Sequence, residues 1–175
     1  MLCLAALYPV AHAADADAKK PKMAKKESVQ AGSLTAKIES SVTFSTLTKA
    51  LKATGLDLTL GNKGEYTIFA PTDEAFAKLP AKVLTKLMLP ENKEKLRSLL
   101  LYHVVAGRMF VSDLKDGKVK TMNGEKIKID VDSKEIEVNG SKIFSNDVVA
   151  NNGVMHSIGK VLVPESLDGF AGLDK

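Results

Sequence analysis

The spacing of apolar residues changes character along this chain. In the first half they recur at helical intervals. Phe44, Leu47, Ala50 and Leu51 fall on one face of a helix that Thr43 can cap and Gly55 can stop. Leu56 to Leu60 then leads into a turn at Gly61-Asn62-Lys63-Gly64. Val83, Leu84, Leu87 and Met88 form a second helical stripe, closed by Pro90. Leu96, Leu99 and Leu100 form a third, opened by Glu91, Glu94 and Lys95. Tyr102-His103-Val104-Val105 switches to strand character before Ala106-Gly107. In the second half the period is two. Ile127, Ile129 and Val131 alternate with Lys126, Lys128 and Asp130, which marks a half-exposed strand, and Ile136 and Val138 alternate again. Asn123-Gly124 and Asn139-Gly140 are hairpin signals. Lys118 to Met122, Ile143-Phe144, Val148-Val149 and Val161-Leu162-Val163 supply further strands. Helices mainly first, strands mainly later and hairpin turns throughout predict an α+β fold, not an alternating βαβ one. No internal repeat is present.

One junction carries more information than the rest. Tyr66-Thr67-Ile68-Phe69 is a β-branched and aromatic run suited to a strand. Pro71 has no N–H for a sheet ladder and biases Ala70 away from helix. Thr72 can then act as N-cap, with Asp73 and Glu74 in the first turn at the positive end of the helix dipole.

Composition bounds the class. The chain has 175 residues, 45% of them hydrophobic and 26% charged, enough for one domain with a proper core. The net charge is +4 and the only arginines are Arg97 and Arg108, so no nucleic-acid footprint is read. Residues 1–13 read as a secretory signal peptide: an apolar run too short to span a bilayer, then Ala11-His12-Ala13 as a cleavage site. The only cysteine, Cys3, lies within it, so the exported chain would contain no thiol and no disulfide. Residues 14–33 read as a flexible leader rich in Lys and Ala, with five lysines against three acids. Residues 34–166 read as the folded domain and 167–175 as a tail. No transmembrane segment follows residue 13. Export to the periplasm or the extracellular space is expected, and a monomer.

Catalytic and metal-binding patterns are weak. His103 lies between a leucine run and two valines, where a neutral imidazole is cheap to bury only if both ring nitrogens find partners. A bond from His103 to the Thr72-Asp73 turn is expected. With His156 the only other histidine after residue 13, and no H-x-H or H-E-x-x-H spacing, a metal site is not expected. Asp73 and Glu74 point about 100° apart on a helix, so they do not converge for acid–base work. Ser157 lies beside His156 without a G-x-S-x-G context. A hydrolase using His156 therefore stands only as an alternative. No cofactor is expected.

Four blocks, in order, resemble the fasciclin (FAS1) domain family. They are Thr67 to Phe76; Leu101-Tyr102-His103-Val104-Val105; Asn146-Asp147-Val148-Val149-Ala150; and Asn152 to Pro164. The resemblance spans roughly residues 34–166. It implies a wedge-shaped β-sandwich with several helices packed against it, in a module that adheres to proteins or matrix components and has no generally assigned catalytic centre. Thr72, Asp73 and His103 are then structural signature residues. In animal members the Tyr-His and Asp-Ile blocks are implicated in integrin recognition, which carries over to Tyr102, His103, Asp147 and Val148, Val148 standing where the family has Ile. The alternative reading is that these four hold the fold. The implied role is surface or matrix association through an unknown protein or surface polysaccharide; a purely structural envelope protein is the other reading.

Overall fold

The computed structural model describes residues 30–62, 64–132 and 135–170. The expected signal peptide with Cys3, the leader as far as residue 29, and residues 171–175 lie outside them. The helical half contains α1 (Leu34–Ser40), α2 (Ser45–Thr54), α3 (Leu56–Gly61), then strand β1 (Tyr66–Pro71), and then α4 (Asp73–Ala77), α5 (Ala81–Leu87) and α6 (Lys93–Tyr102). The β half contains β2 (Val104–Ala106), β3 (Gly117–Lys120), β4 (Lys126–Val131), β5 (Ile136–Val138), β6 (Ser141–Ala150) and β7 (Gly153–Ile158), followed by a 3₁₀ segment, Glu165–Phe170.

The strands hydrogen-bond in the order β2-β1-β7-β6-β5-β4-β3. All pairings are antiparallel except β1 with β7, which run parallel. The ten-residue β6 is the bridge. From Ile143 onward it pairs with β7, its start pairs with β5, and the ladder to β7 shifts register on either side of Ser145. Bulges of this kind bend a strand and let it serve two halves of a sheet.

Alternation in β1 sorts the core into two layers. Phe69 joins Val105, Ile127, Val138, Ile158 and Leu162 in one apolar cluster. Its neighbours Ile68 and Ala70 face the other way, toward Leu47, Leu51, Leu96, Leu99 and Leu100 of the helices. The first half of the sheet thus lies between the helices and the second half, which is the α+β architecture expected from the sequence.

Several local expectations change. Thr43 does not cap α2; it sits in a 3₁₀ turn, Val42–Phe44, whose own cap is Ser41. Tyr102 ends α6 rather than starting a strand, and β2 begins at Val104. Residues 161–163 form no strand, because the Leu162 N–H bonds a side chain instead of a ladder. Helix α1, capped by Ser33, has too short an apolar stripe to announce itself. The last residues of the expected leader are held to the domain. Gln30 N–H donates to Gly61 O, and Asn151 bonds both Ala31 O and Gly32 O. The two-residue turn at Asn139-Gly140 forms as read, with both φ values positive, at 48° and 70°.

Candidate functional site

The junction after β1 does more than start a helix. Thr72 Oγ1 accepts from Ala75 N–H at 3.3 Å and caps α4, as expected. The Asp73 carboxylate turns away and caps α2. It accepts from Ser45 N–H (3.2 Å), Ser45 Oγ–H (2.6 Å) and Thr46 N–H (2.8 Å). One acidic residue therefore serves a helix 28 positions earlier. Burial alone would push its carboxyl up. The bonds from Ser45 and Thr46 together outweigh that and hold it below the ordinary value.

His103 is 2% exposed and its expected bond to the Thr72-Asp73 turn is absent. The ring instead receives Leu162 N–H on Nε2 at 2.9 Å, so Nδ1 carries the proton and donates to Leu99 O at 2.8 Å. Both ring nitrogens are satisfied, as burial requires. What they join is the last turn of α6 and the segment after β7. Burial drives the imidazole's pKa down to about 4, so it is neutral at pH 7.

His156, fully buried on β7, is a second pin. Its ring stacks on Phe69 with centroids 5.6 Å apart. Nδ1 accepts from Asp147 N–H at 3.3 Å and Nε2–H donates to Met109 O at 2.9 Å. Burial lowers its pKa, opposed by the Met109 bond and the Asp147 charge. Ser157 Oγ is committed to Ser145, donating to its carbonyl and accepting from its N–H. Neither imidazole nitrogen is free to take a proton from a nucleophile, and Ser157 points to the opposite side of its strand from His156. Among the described residues no cluster of His, Cys, Asp and Glu could hold a metal ion.

The four candidate contact residues do not converge. His103 is in the core. Tyr102, 3% exposed, donates its hydroxyl proton to Lys126 O and accepts from Asn139 Nδ2 (2.8 Å) at the floor of a cleft between α6 and the β3–β4 hairpin. Burial raises its pKa, opposed by the Asn139 bond. Asp147, exposed and left-handed at φ 52°, sits at the β6 irregularity and accepts from Val111 N–H at 2.9 Å. It fastens the loop whose earlier part is held by Thr67 Oγ1, which donates to Gly107 O and accepts from Met109 N–H. Val148 lines a second, separate cleft, open and of about 440 Å³. Phe44, Val148 and Met155 give that cleft apolar surface; Thr72, Ser41, Thr43, Ser145 and Ser157 give it hydroxyls, and Lys37 a cation. The cleft thus collects residues from the first, third and fourth sequence blocks.

The sequence reading missed Asn152. Its buried amide accepts from Leu34 N–H (2.8 Å) and donates to Leu60 O (2.6 Å) and Asn62 O (3.1 Å), joining α1 and α3 to the β6–β7 turn. Asn in a turn is ordinary in sequence, so only the fold marks it.

The comparisons with known proteins agree with this architecture. The family model for the fasciclin domain matches residues 42–164. The chain is similar to protein sll1483 of Synechocystis sp., with 44% identity over 122 residues, covering 70% of this chain and 68% of that protein. It is also similar to the transforming growth factor-beta-induced protein ig-h3 of Sus scrofa (37% over 131 residues, 74% of this chain) and to human periostin (41% over 109 residues, 61% of this chain). It spans only 19% and 13% of those two proteins. Among solved structures, a FAS1 domain pair from the insect cell adhesion molecule Fasciclin I superposes with a TM-score of 0.69 at 20% identity, over 79% of this chain and 53% of that one. The chain belongs to the fasciclin domain family.

Proposed function

We propose that this protein is an exported, non-catalytic binding module that associates with cell-surface or matrix material through protein or polysaccharide contacts. The observation that carries this is the cleft at Val148. It is open and sets apolar surface from Phe44, Val148 and Met155 beside several hydroxyl-bearing residues. The same strand leaves Phe144 66% and Val149 50% exposed, apolar surface beyond what the core needs. The likeness to a cell adhesion molecule supports the reading at the level of fold. Among the described residues no helix is long and apolar enough to cross a membrane. The extracellular face of the envelope or the periplasm is the proposed location.

The test is capture from surface-exposed envelope proteins and matrix fractions by the purified chain and by Val148→Asp. Retained folding with lost capture supports the cleft as the contact. Capture equal to wild type overturns it, and no capture by either chain favours the purely structural role.

A further inference from the structure

The outward face of the β3–β4 hairpin carries an arrangement that folding alone does not favour. In the antiparallel register, Lys118 stands opposite Lys128 and Lys120 opposite Lys126. The intervening Val119, Ile127 and Ile129 face inward, so all four lysines project from one side, and all are exposed. Directly opposed side chains have Cβ atoms about 5 Å apart, and like charges there are destabilising. The two pairs lie about 7 Å apart along the strands. Only Lys128 has a carboxylate partner, Asp130 at 2.5 Å. The ammonium groups of Lys118, Lys120 and Lys126 have no hydrogen bond or ion pair among the described residues.

Protection of a sheet edge accounts for half of this. β3 is an edge strand, and lysines there discourage pairing with another chain. β4 is paired on both sides, so Lys126 and Lys128 have no edge to guard. Lys118, Lys126 and Lys128 also line the cleft of about 550 Å³ floored by Tyr102 and Asn139. The neutral polar groups of that cleft are already spent. Tyr102 bonds Lys126 O and Asn139, and the Asn139 carbonyl accepts from Lys128 N–H. Of its two acids, Glu125 is held by Asn123 and Glu165 N–H, and Glu165 remains. What the surface offers a ligand is the three unpartnered ammonium groups of Lys118, Lys120 and Lys126, beside Lys128 with its Asp130 partner and the carboxylates of Glu125 and Glu165 at the cleft.

We infer that this lysine ladder binds an acidic polysaccharide, one whose uronate or sulfate groups sit between the paired ammonium groups. The inference rests on the binding-module reading and adds a contact surface separate from the Val148 cleft. A polysaccharide fits better than a nucleic acid, since no arginine and no aromatic ring projects from the hairpin's outer face to stack on bases. It also fits an exported domain. The tests use the full chain with polygalacturonate and dextran sulfate as probes, and neutral dextran, anionic phospholipid vesicles and single-stranded oligonucleotide as the contrasting arms. The expected result is salt-sensitive binding to the two acidic polysaccharides that is roughly tenfold or more weaker in the K118Q/K120Q/K126Q triple variant and restored by the corresponding Lys→Arg variant. Without ligand at low salt the triple glutamine variant should melt no lower than wild type, and polygalacturonate should raise the melting temperature of wild type and of the arginine variant more than that of the glutamine variant. Wild-type chain that ignores both acidic probes, a glutamine variant that binds as well as wild type, or vesicles or oligonucleotide binding as tightly as polygalacturonate overturns the assignment. Capture by Val148→Asp and polygalacturonate binding by the triple glutamine variant are read in separate assays, so failure here and failure of the cleft are separate results.

Discussion

Two residues show how much one side chain holds here. His103 bridges Leu99 O and Leu162 N–H from inside the core. His103→Leu leaves both orphaned, and a loss of about 2–4 kcal/mol in urea-unfolding free energy is expected. The same residue sets a pH dependence. The unfolded imidazole titrates near 6.5 and the folded one at about 4, so the unfolded chain takes the proton first as pH falls. The stabilisation is whole above pH 6.5 and is lost as pH drops toward 4, up to roughly 3 kcal/mol. Urea midpoints measured between those limits should slope in wild type and flatten in His103→Leu, with His156 leaving a residual slope of the same sign. Asp73 acts lower on the scale. Its depressed pKa gives stability that is present above the ordinary 3.8 and lost as pH falls below it. Asp73→Ala should cost about 1–2 kcal/mol by removing the α2 cap, and Asp73→Asn less, both read from denaturant midpoints at neutral pH. Thr48 runs the opposite way. Its hydroxyl is buried without a partner among the described residues, so Thr48→Val should be neutral or stabilise by up to about 1 kcal/mol in the same assay.

At the scale of elements, β7 is the strand on which the others depend. It runs parallel to β1 and antiparallel to β6, and every residue in it is buried. Its first residue allows the approach. A Cβ on Gly153 would lie 1.9 Å from Tyr66 O and 2.6 Å from Leu34 Cδ1. Gly153→Ala should therefore destabilise by about 3 kcal/mol, seen as a drop in melting temperature or failure to accumulate folded protein. Much at this scale was legible beforehand. The β1–α4 junction, the stop at Gly55 (φ 74°), the alternation of β4 and the Asn139-Gly140 turn all follow from local chemistry. Two of the failures share one cause. Val161-Leu162-Val163 reads as a strand but is taken by His103, and Thr43 reads as a cap that Asp73 supplies from elsewhere. In both, a distant side chain outcompetes the local pattern for a backbone N–H.

Over the whole molecule, stability should be graded from the strands covered on both faces to the exposed edge. β1 and β7 lie between the helical layer and the inner core, whereas β3 is an exposed edge. Hydrogen exchange should be slowest for the amides of β1 and β7 and fastest among the strands for β3. The candidate contacts separate in the same frame: His103 in the core, Tyr102 under the lysine hairpin, Asp147 fastening a loop, Val148 in an open cleft. From sequence the Tyr-His and Asp-Val blocks could be one surface, because spacing along a chain carries no information about which strands become neighbours. The sequence by itself determined the α+β class, the family and the elements whose periods and caps are written within a few residues. Only the tertiary structure decided the parallel pairing of β1 with β7, the partners of both histidines, the long reach of Asp73 and the facing of lysine against lysine. Each of those depends on which distant segment arrives to complete a hydrogen bond or a cross-strand pair, and that is settled by packing the whole core at once.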